Sequence, residues 1–270
     1  MSLRIGARGS ALSLAQTAGV RAAIAAALGA AAETLPIIPI TTTGDRIQDR
    51  RLIEAGGKGL FTKELDEALL DGRIDLAVHS MKDLPTRLPD GIALGAAPAR
   101  ADPRDAFICL SAARLEDLPA GARVGTASLR RQAQVLAARP DLTVLTLRGN
   151  VETRLRKIQA GEVDATFLAL AGLQRLGLQA HARSVLDVSA MPPAAGQGAL
   201  AVTARADDAA TLRLLQQIED PMTRLEIEAE RAFLAALDGS CRTPIAALGR
   251  AGGGALIVIG EPWTPVGAKR

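Results

Sequence analysis

The nine residues Asp75-Leu76-Ala77-Val78-His79-Ser80-Met81-Lys82-Asp83 constrain the fold more than any other stretch of the chain. Leu76, Ala77 and Val78 form an apolar run too short for a helix, which suits a strand buried on both faces of a parallel sheet. Polar residues follow at once, and Pro85 stops regular structure. In open α/β sheets ligands bind beyond the carboxyl ends of strands, so His79, Ser80, Lys82 and Asp83 are expected at the rim of a cleft.

A chain of 270 residues is too long for one such lobe and suits two or three domains. The N-terminus lacks the basic-then-apolar pattern of a signal peptide. No apolar run reaches the ~20 residues of a membrane span, so a soluble, cytoplasmic protein is expected. Cys109 lies in a strand-like context and Cys241 in the turn Asp-Gly-Ser-Cys-Arg-Thr-Pro, and a disulfide is not expected in that compartment. The net charge of +3 hides a strong preference for arginine over lysine. Guanidinium forks grip carboxylates or phosphates with two hydrogen bonds, which points to anionic ligands. Nucleic acid fits poorly: with no tyrosine, one tryptophan and four phenylalanines, a stacking platform for single strands is hard to build.

The hydrophobic pattern predicts strands at 3–7, 35–41, 76–78, 92–96, 106–110, 123–125, 142–147, 164–169 and 199–203, with short C-terminal strands near 245–248 and 256–259. Helices are expected after Ser10 and over 62–71, 128–139, 151–160, 173–176, 208–218 and 222–237. Pro36 and Pro39 place the second strand near a sheet edge. The last helix is expected to bury Leu225, Ala229, Ala232, Phe233 and Ala236. Residues 97–104 and 191–198 read as crossings between lobes, the second returning a strand to the first sheet. Two segments echo each other: Arg4-Ile5-Gly6-Ala7-Arg8-Gly9-Ser10 with Arg123-Val124-Gly125-Thr126-Ala127-Ser128, and Gly72-Arg73-Ile74-Asp75 with Gly161-Glu162-Val163-Asp164. Two such lobes would point helix N-termini into a shared cleft, which favours an anion.

Several chemistries are excluded by pattern. Gly56-Gly57-Lys58-Gly59 lacks the first glycine and the Ser/Thr of a phosphate loop, so it reads instead as a glycine-hinged flap. His79 and Ser80 are adjacent on a strand and point to opposite faces, and no nucleophile elbow occurs. Two histidines and two separated cysteines give no metal-ligand spacing, so no metal is expected. What remains is a carboxylate, Asp83, in a basic cleft, and one loop cysteine, Cys241, on a separate small domain.

The motifs His79-Ser80-Met81-Lys82-Asp83-Leu84-Pro85, Gly56-Gly57-Lys58-Gly59-Leu60-Phe61, Ser128-Leu129-Arg130-Arg131, Leu147-Arg148-Gly149-Asn150 and Ala195-Gly196-Gln197-Gly198 occur in order. Together they closely resemble the porphobilinogen deaminase (hydroxymethylbilane synthase) family. The resemblance implies an α/β fold of two lobes like type II periplasmic binding proteins around a cleft, plus a small α+β C-terminal domain. The expected division is 1–98 with 199–218, 99–198, and 219–270. It implies a dipyrromethane cofactor joined by a thioether to Cys241. On that primer four porphobilinogen units condense head to tail into hydroxymethylbilane, each releasing ammonia, as a step of tetrapyrrole and heme biosynthesis. Asp83 matches the catalytic aspartate. Arg130, Arg131, Lys82, Ser128, Asp83 and Arg154 match cofactor-binding positions. Arg8, Ser10, Arg148, Arg175 and Gln197 match substrate-binding positions, and Lys58 and Phe61 the flap. Arg156 and Arg183 read as solvated surface. Glu54 stands where many members have lysine, and Ala127 where many have a second serine. Members usually continue beyond the equivalent of Ile259, so a shortened third domain is expected. Porphobilinogen is the expected partner of a monomer, with neither nucleic acid nor membrane. The alternative is a non-catalytic two-lobed binding protein for a small anion.

Overall fold

The computed structural model of the chain describes residues 3–46, 59–237 and 243–268. Strand β1 (Ile5–Arg8) leads into α1 (Ala11–Leu28), which Ser10 caps by accepting a hydrogen bond from Ser13 N at 3.2 Å. Gly29, with φ +61°, closes that helix. Strand β2 (Ile37–Ile40), a single turn α2 (Thr43–Arg46), α3 (Lys63–Leu70), β3 (Leu76–Ser80) and β4 (Ile92–Ala96) complete the first run. Then follow β5 (Asp105–Cys109), β6 (Arg123–Gly125), α4 (Leu129–Ala138), β7 (Thr143–Leu145), α5 (Val151–Gln159), β8 (Ala165–Ala169), α6 (Leu170–Arg175) and β9 (Ser184–Val185). The chain closes with β10 (Leu200–Arg205), α7 (Ala209–Leu215), α8 (Pro221–Ala236), β11 (Ile245–Gly252) and β12 (Ala255–Pro262).

The two five-stranded sheets have one topology. Their orders are β2-β1-β3-β10-β4 and β7-β6-β8-β5-β9. In each, three strands run parallel and the fourth is antiparallel to both neighbours. That antiparallel strand is the one delivered by a crossing from the other sheet, β5 outward and β10 on the return, as the sequence pattern anticipates for 199–203. Pro39 sits in edge strand β2, where a missing N–H costs no ladder bond. Strand β9 is two residues long and has no pattern of its own; it exists because it pairs with β5, Ala106 opposite Val185.

The sequence echo has a physical counterpart. Asp75 accepts from Arg4 N and Nη2, both at 2.8 Å, and Asp164 accepts from Arg123 N and Nη2, both at 2.7 Å. In both lobes a glycine at positive φ, Gly72 or Gly161, ends the preceding helix and aims that aspartate at the head of the neighbouring strand. Separate cores fill the lobes: Ile5, Ile24, Leu76, Val202 and Leu215 in one, Phe107, Val124, Val135 and Phe167 in the other.

Helix α8 corrects an expectation. Its buried residues are Thr223, Ile227 and Glu230, whereas Leu225 is 45% exposed and Ala232 and Ala236 face solvent. Phe233 and Ala229 of the expected face are half-buried, and the Phe233 ring lies close against Gly260, where a Cβ would run into it. The reason is that α8 lies on the two crossings, whose backbone N–H groups need acceptors more than they need apolar cover. Glu230 accepts from Gly196 N at 2.6 Å, Gly249 N at 2.7 Å and Arg100 Nη1 at 2.6 Å. Arg100 also donates Nε to Gln197 O at 2.9 Å. One ion pair thus joins both crossings to the β11–β12 ribbon.

Glu230 has no exposed surface, and its removal would strand two backbone amides in the interior and leave Arg100 only its longer pairing with Glu226 at 3.4 Å. Glu230→Gln is expected to lower unfolding free energy by roughly 3–5 kcal/mol. Glu228→Gln on the solvent face is expected to stay within about 0.5 kcal/mol, both read from urea denaturation midpoints.

Candidate functional site

The carboxyl ends of β1 and β3 and the N-terminus of α1 converge on a cavity of about 100 Å³. Arg8, Ser10, Gln16, Phe61, His79, Ser80, Lys82 and Asp83 line it. The predicted rim at 79–83 is therefore a wall of this cavity. His79 and Ser80 are no nucleophile–base pair: His79 Nε2 meets Thr203 Oγ1 at 3.2 Å, while Ser80 Oγ bonds Gln16 Nε2 at 2.9 Å. Burial, reinforced by Arg8, draws the imidazole down to about 4, so it is neutral at physiological pH.

Across the cleft lies a buried cluster centred on Asp105 at the head of β5. Arg130 and Arg131 each donate an Nη2 hydrogen to it at 2.7 Å, and Gln197 Nε2 donates at 2.9 Å. Burial would raise the Asp105 carboxyl, but the two guanidiniums outweigh it and hold the group well below the ordinary range. Arg130 Nη1 donates to Gln134 Oε1 and Pro192 O, and Arg131 Nη1 to Phe167 O. The Nε of each arginine is buried and has no hydrogen-bond partner among the described residues. These two residues are therefore largely engaged by the protein. The sequence motif gives them the right place but not this anchoring.

Lys82 Nζ approaches Gln197 Oε1 at 3.4 Å, and Gln197 Nε2 also donates to Pro103 O at 2.7 Å. Gln197 thus spends its amide bracing the crossing and the lysine. Burial, together with Arg131, draws the Lys82 ammonium down to about 8. Arg154 is drawn down to about 10 by burial and by Arg131 and Arg148, and its Nε donates to Gly149 O. Asp83 acts on both cations as a favourable charge, yet accepts no hydrogen bond from any described residue. Arg130, Arg131, Arg148, Arg154 and Lys82 outnumber Asp83 and Asp105 here, so the cleft is set to receive carboxylates.

The remaining expected residues sort by geometry. Ser10 and Ser128 cap α1 and α4, with Ser128 Oγ accepting from Arg131 N at 3.4 Å. Arg175 Nη2 donates to Gly198 O at 2.9 Å, at the return crossing rather than in the cavity wall. Arg8 is bound by Asp45 through two nitrogens, and its guanidinium lies 4.2 Å over the Phe61 ring. Arg156 and Arg183 are on the surface. Lys58, Glu54 and Cys241 lie outside the described residues. Sequence reading missed Asp105, Asp45 and Gln16. Asp105 leaves a trace, a lone acid at the head of an apolar strand; Asp45 and Gln16 sit in segments whose partners are distant in the chain.

Two family models cover the chain: "Porphobilinogen deaminase, dipyromethane cofactor binding domain" matches residues 3–213, and "Porphobilinogen deaminase, C-terminal domain" matches 224–269. The chain belongs to the porphobilinogen deaminase family. The porphobilinogen deaminase of Caulobacter vibrioides (strain NA1000 / CB15N) is 57% identical over 276 residues, covering 99% of this chain and 85% of the relative. That of Phenylobacterium zucineum (strain HLK1) is 58% identical over 275 residues, covering 99% and 86%. Among solved structures, the methionine binding protein MetQ superposes with a TM-score of 0.51 at 13% identity, covering 88% of this chain and 96% of that one. Immunogenic lipoprotein A from Vibrio vulnificus gives 0.50 at 12%, covering 85% and 99%. These likenesses show the two-lobed fold alone. Family membership carries the activity: a transferase of tetrapyrrole biosynthesis that acts on porphobilinogen and uses a dipyrromethane cofactor.

The protein supplies a fit for such a polycarboxylate, because both buried Nε atoms lack acceptors among the described residues and the surrounding charge is positive. Since Lys82 loses its proton near pH 8, its pull on carboxylates fades above that value. The expected result is a fall in kcat/KM for porphobilinogen as pH rises through about 8, an inflection that Lys82→Arg removes.

Proposed function

We propose that this chain carries out the condensation of four porphobilinogen molecules into hydroxymethylbilane with Asp83 as its catalytic group. The observation that carries the assignment is the Asp83 carboxylate itself, which faces the cavity beside Lys82 and accepts no hydrogen bond from any described residue. It is an acceptor held open in a cleft whose other groups are mainly donors.

As the aminomethyl nitrogen of porphobilinogen departs as ammonia, positive charge develops on the pyrrole. Asp83 is the group placed to offset that charge and to accept the pyrrole N–H. Positioned acid–base help of this kind contributes typically ~10²–10⁴-fold, and fixed charge in a site shielded from water adds to it. When bound, the dipyrromethane supplies the pyrrole carbon from which the chain grows. Arg130, Arg131, Lys82, Ser128 and Arg154 are its proposed holders, with Cys241 as the thioether attachment point. The buried, unpartnered Nε atoms of Arg130 and Arg131 support that reading. Arg8, Ser10, Arg148, Arg175 and Gln197 are the proposed substrate contacts, with Lys58 and Phe61 on the flap. The three units are proposed as 1–98 with 199–218, 99–198, and 219–270. The protein is proposed to act as a cytoplasmic monomer, without nucleic acid or membrane.

The purified protein is expected to carry two linked pyrrole units on Cys241, measured by intact mass and peptide mapping under denaturing conditions. Cys241→Ala should fold yet carry no added mass, and pigment on that variant would end the attachment assignment. Asp83→Asn should keep the added mass and turn over at least about a hundredfold more slowly. Full turnover by Asp83→Asn would remove Asp83 from the chemistry.

A further inference from the structure

Arg8 already holds a carboxylate, and that carboxylate belongs to the protein. Asp45 Oδ1 takes the Nη2 and Nε edge of the guanidinium, Nε at 3.2 Å. Asp45 Oδ2 is anchored in turn by Thr42 Oγ1 at 2.7 Å and Thr42 N at 3.2 Å. The guanidinium plane rests on Phe61, 4.2 Å from the ring centre. The loop is built around that ring: Gly44 N donates to Leu60 O at 2.7 Å, and a Cβ on Gly44 would run into the Phe61 ring. Arg8 Nη1 donates to no described residue, and the side chain lines the cavity with Asp83.

We propose that Asp45 is a specificity-determining placeholder, an internal carboxylate that occupies the fork of Arg8 and must be exchanged for a carboxylate arm of porphobilinogen. This inference rests on the substrate-binding role proposed for Arg8. A fork binds a carboxylate best through two parallel N–H bonds, and the edge that offers Nε and Nη2 is the one Asp45 covers. A neutral or cationic ligand group gains nothing from displacing Asp45, whereas a carboxylate replaces like with like. Phe61 holds the guanidinium over its ring face while the partners change, and Thr42 gives the released Asp45 a polar seat of its own. The exchange lowers apparent affinity by the fraction of time Arg8 is free, which sets a threshold that weakly acidic ligands fail to cross.

The test is steady-state kinetics of the holoenzyme with porphobilinogen. Asp45→Asn keeps an acceptor for Thr42 but removes the competing charge, so KM is expected to fall about twofold to tenfold, a larger change than in kcat. Asp45→Glu restores the charge and is expected to return KM toward the parent value. In an Arg8→Leu background the Asp45→Asn change should have no effect on KM. A KM that stays level or rises in Asp45→Asn, or the same fall with Arg8 absent, overturns the placeholder. If Arg8→Leu alone leaves KM unchanged, the substrate role of Arg8 has failed instead, and the two failures are distinguished. Asp45→Ser, which also keeps a hydroxyl for Thr42, serves the same comparison should the asparagine disturb the loop, as judged by thermal unfolding.

Discussion

Glu230 is a carboxylate with no exposed surface, and the architecture hangs on the ion it binds. Arg100 comes from the outward crossing, Gly196 and Gln197 from the return crossing, and Gly249 from the C-terminal ribbon, and all meet at or beside this one side chain. Crossings between lobes are loops, and buried loops carry amides that secondary structure does not satisfy. An acidic residue on a helix solves this by accepting from several of them at once. The same contact makes the return crossing a stiff element, and Gln197 on that crossing reaches into the cleft toward Lys82 and Asp105.

Charge in the cleft follows a similar logic. Packing several cations beside one another is unfavourable unless some are neutralised from within. Asp105 does this for Arg130 and Arg131, so the protein can hold two guanidiniums at full burial and still leave their Nε edges without partners. Lys82 and Arg154 lose basicity because burial and the neighbouring arginines outweigh the favourable charge of Asp83. Asp83 is the exception among these groups: a carboxylate in cationic surroundings that no donor among the described residues claims. The other wall shows the complementary arrangement, with Arg8 occupied by Asp45 and held over Phe61. One face of the cleft thus has charge in excess, and the other has charge held in reserve.

Much of this was legible in the chain. Short apolar runs ending in polar residues marked β1, β3 and β6, Ser10 and Ser128 marked the helix caps, and the Arg…Gly-x-x-Asp echo marked the repeated lobe. The motifs from His79 to Pro85 and from Ser128 to Arg131 marked the family. Local pattern works there because each signal is decided within a few residues: alternation, a cap, a glycine at positive φ. The apolar face of α8 was misread for the opposite reason. Its orientation depends on two backbone amides and a guanidinium that lie 19 to 130 residues away in the chain, which no helical periodicity records.

By itself the sequence determined the α/β alternation, the two-lobed repeat, the arginine-rich character of the cleft and the position of Asp83, because strand length, capping and charge are local properties. Only the tertiary structure decided which carboxylate of the protein each buried arginine meets. Arg130, Arg131, Arg8 and Arg100 are chemically identical in the sequence. They differ only in the carboxylates that folding brings to them, Asp105, Asp45 and Glu230, and those pairings are set by lobe packing across long stretches of chain.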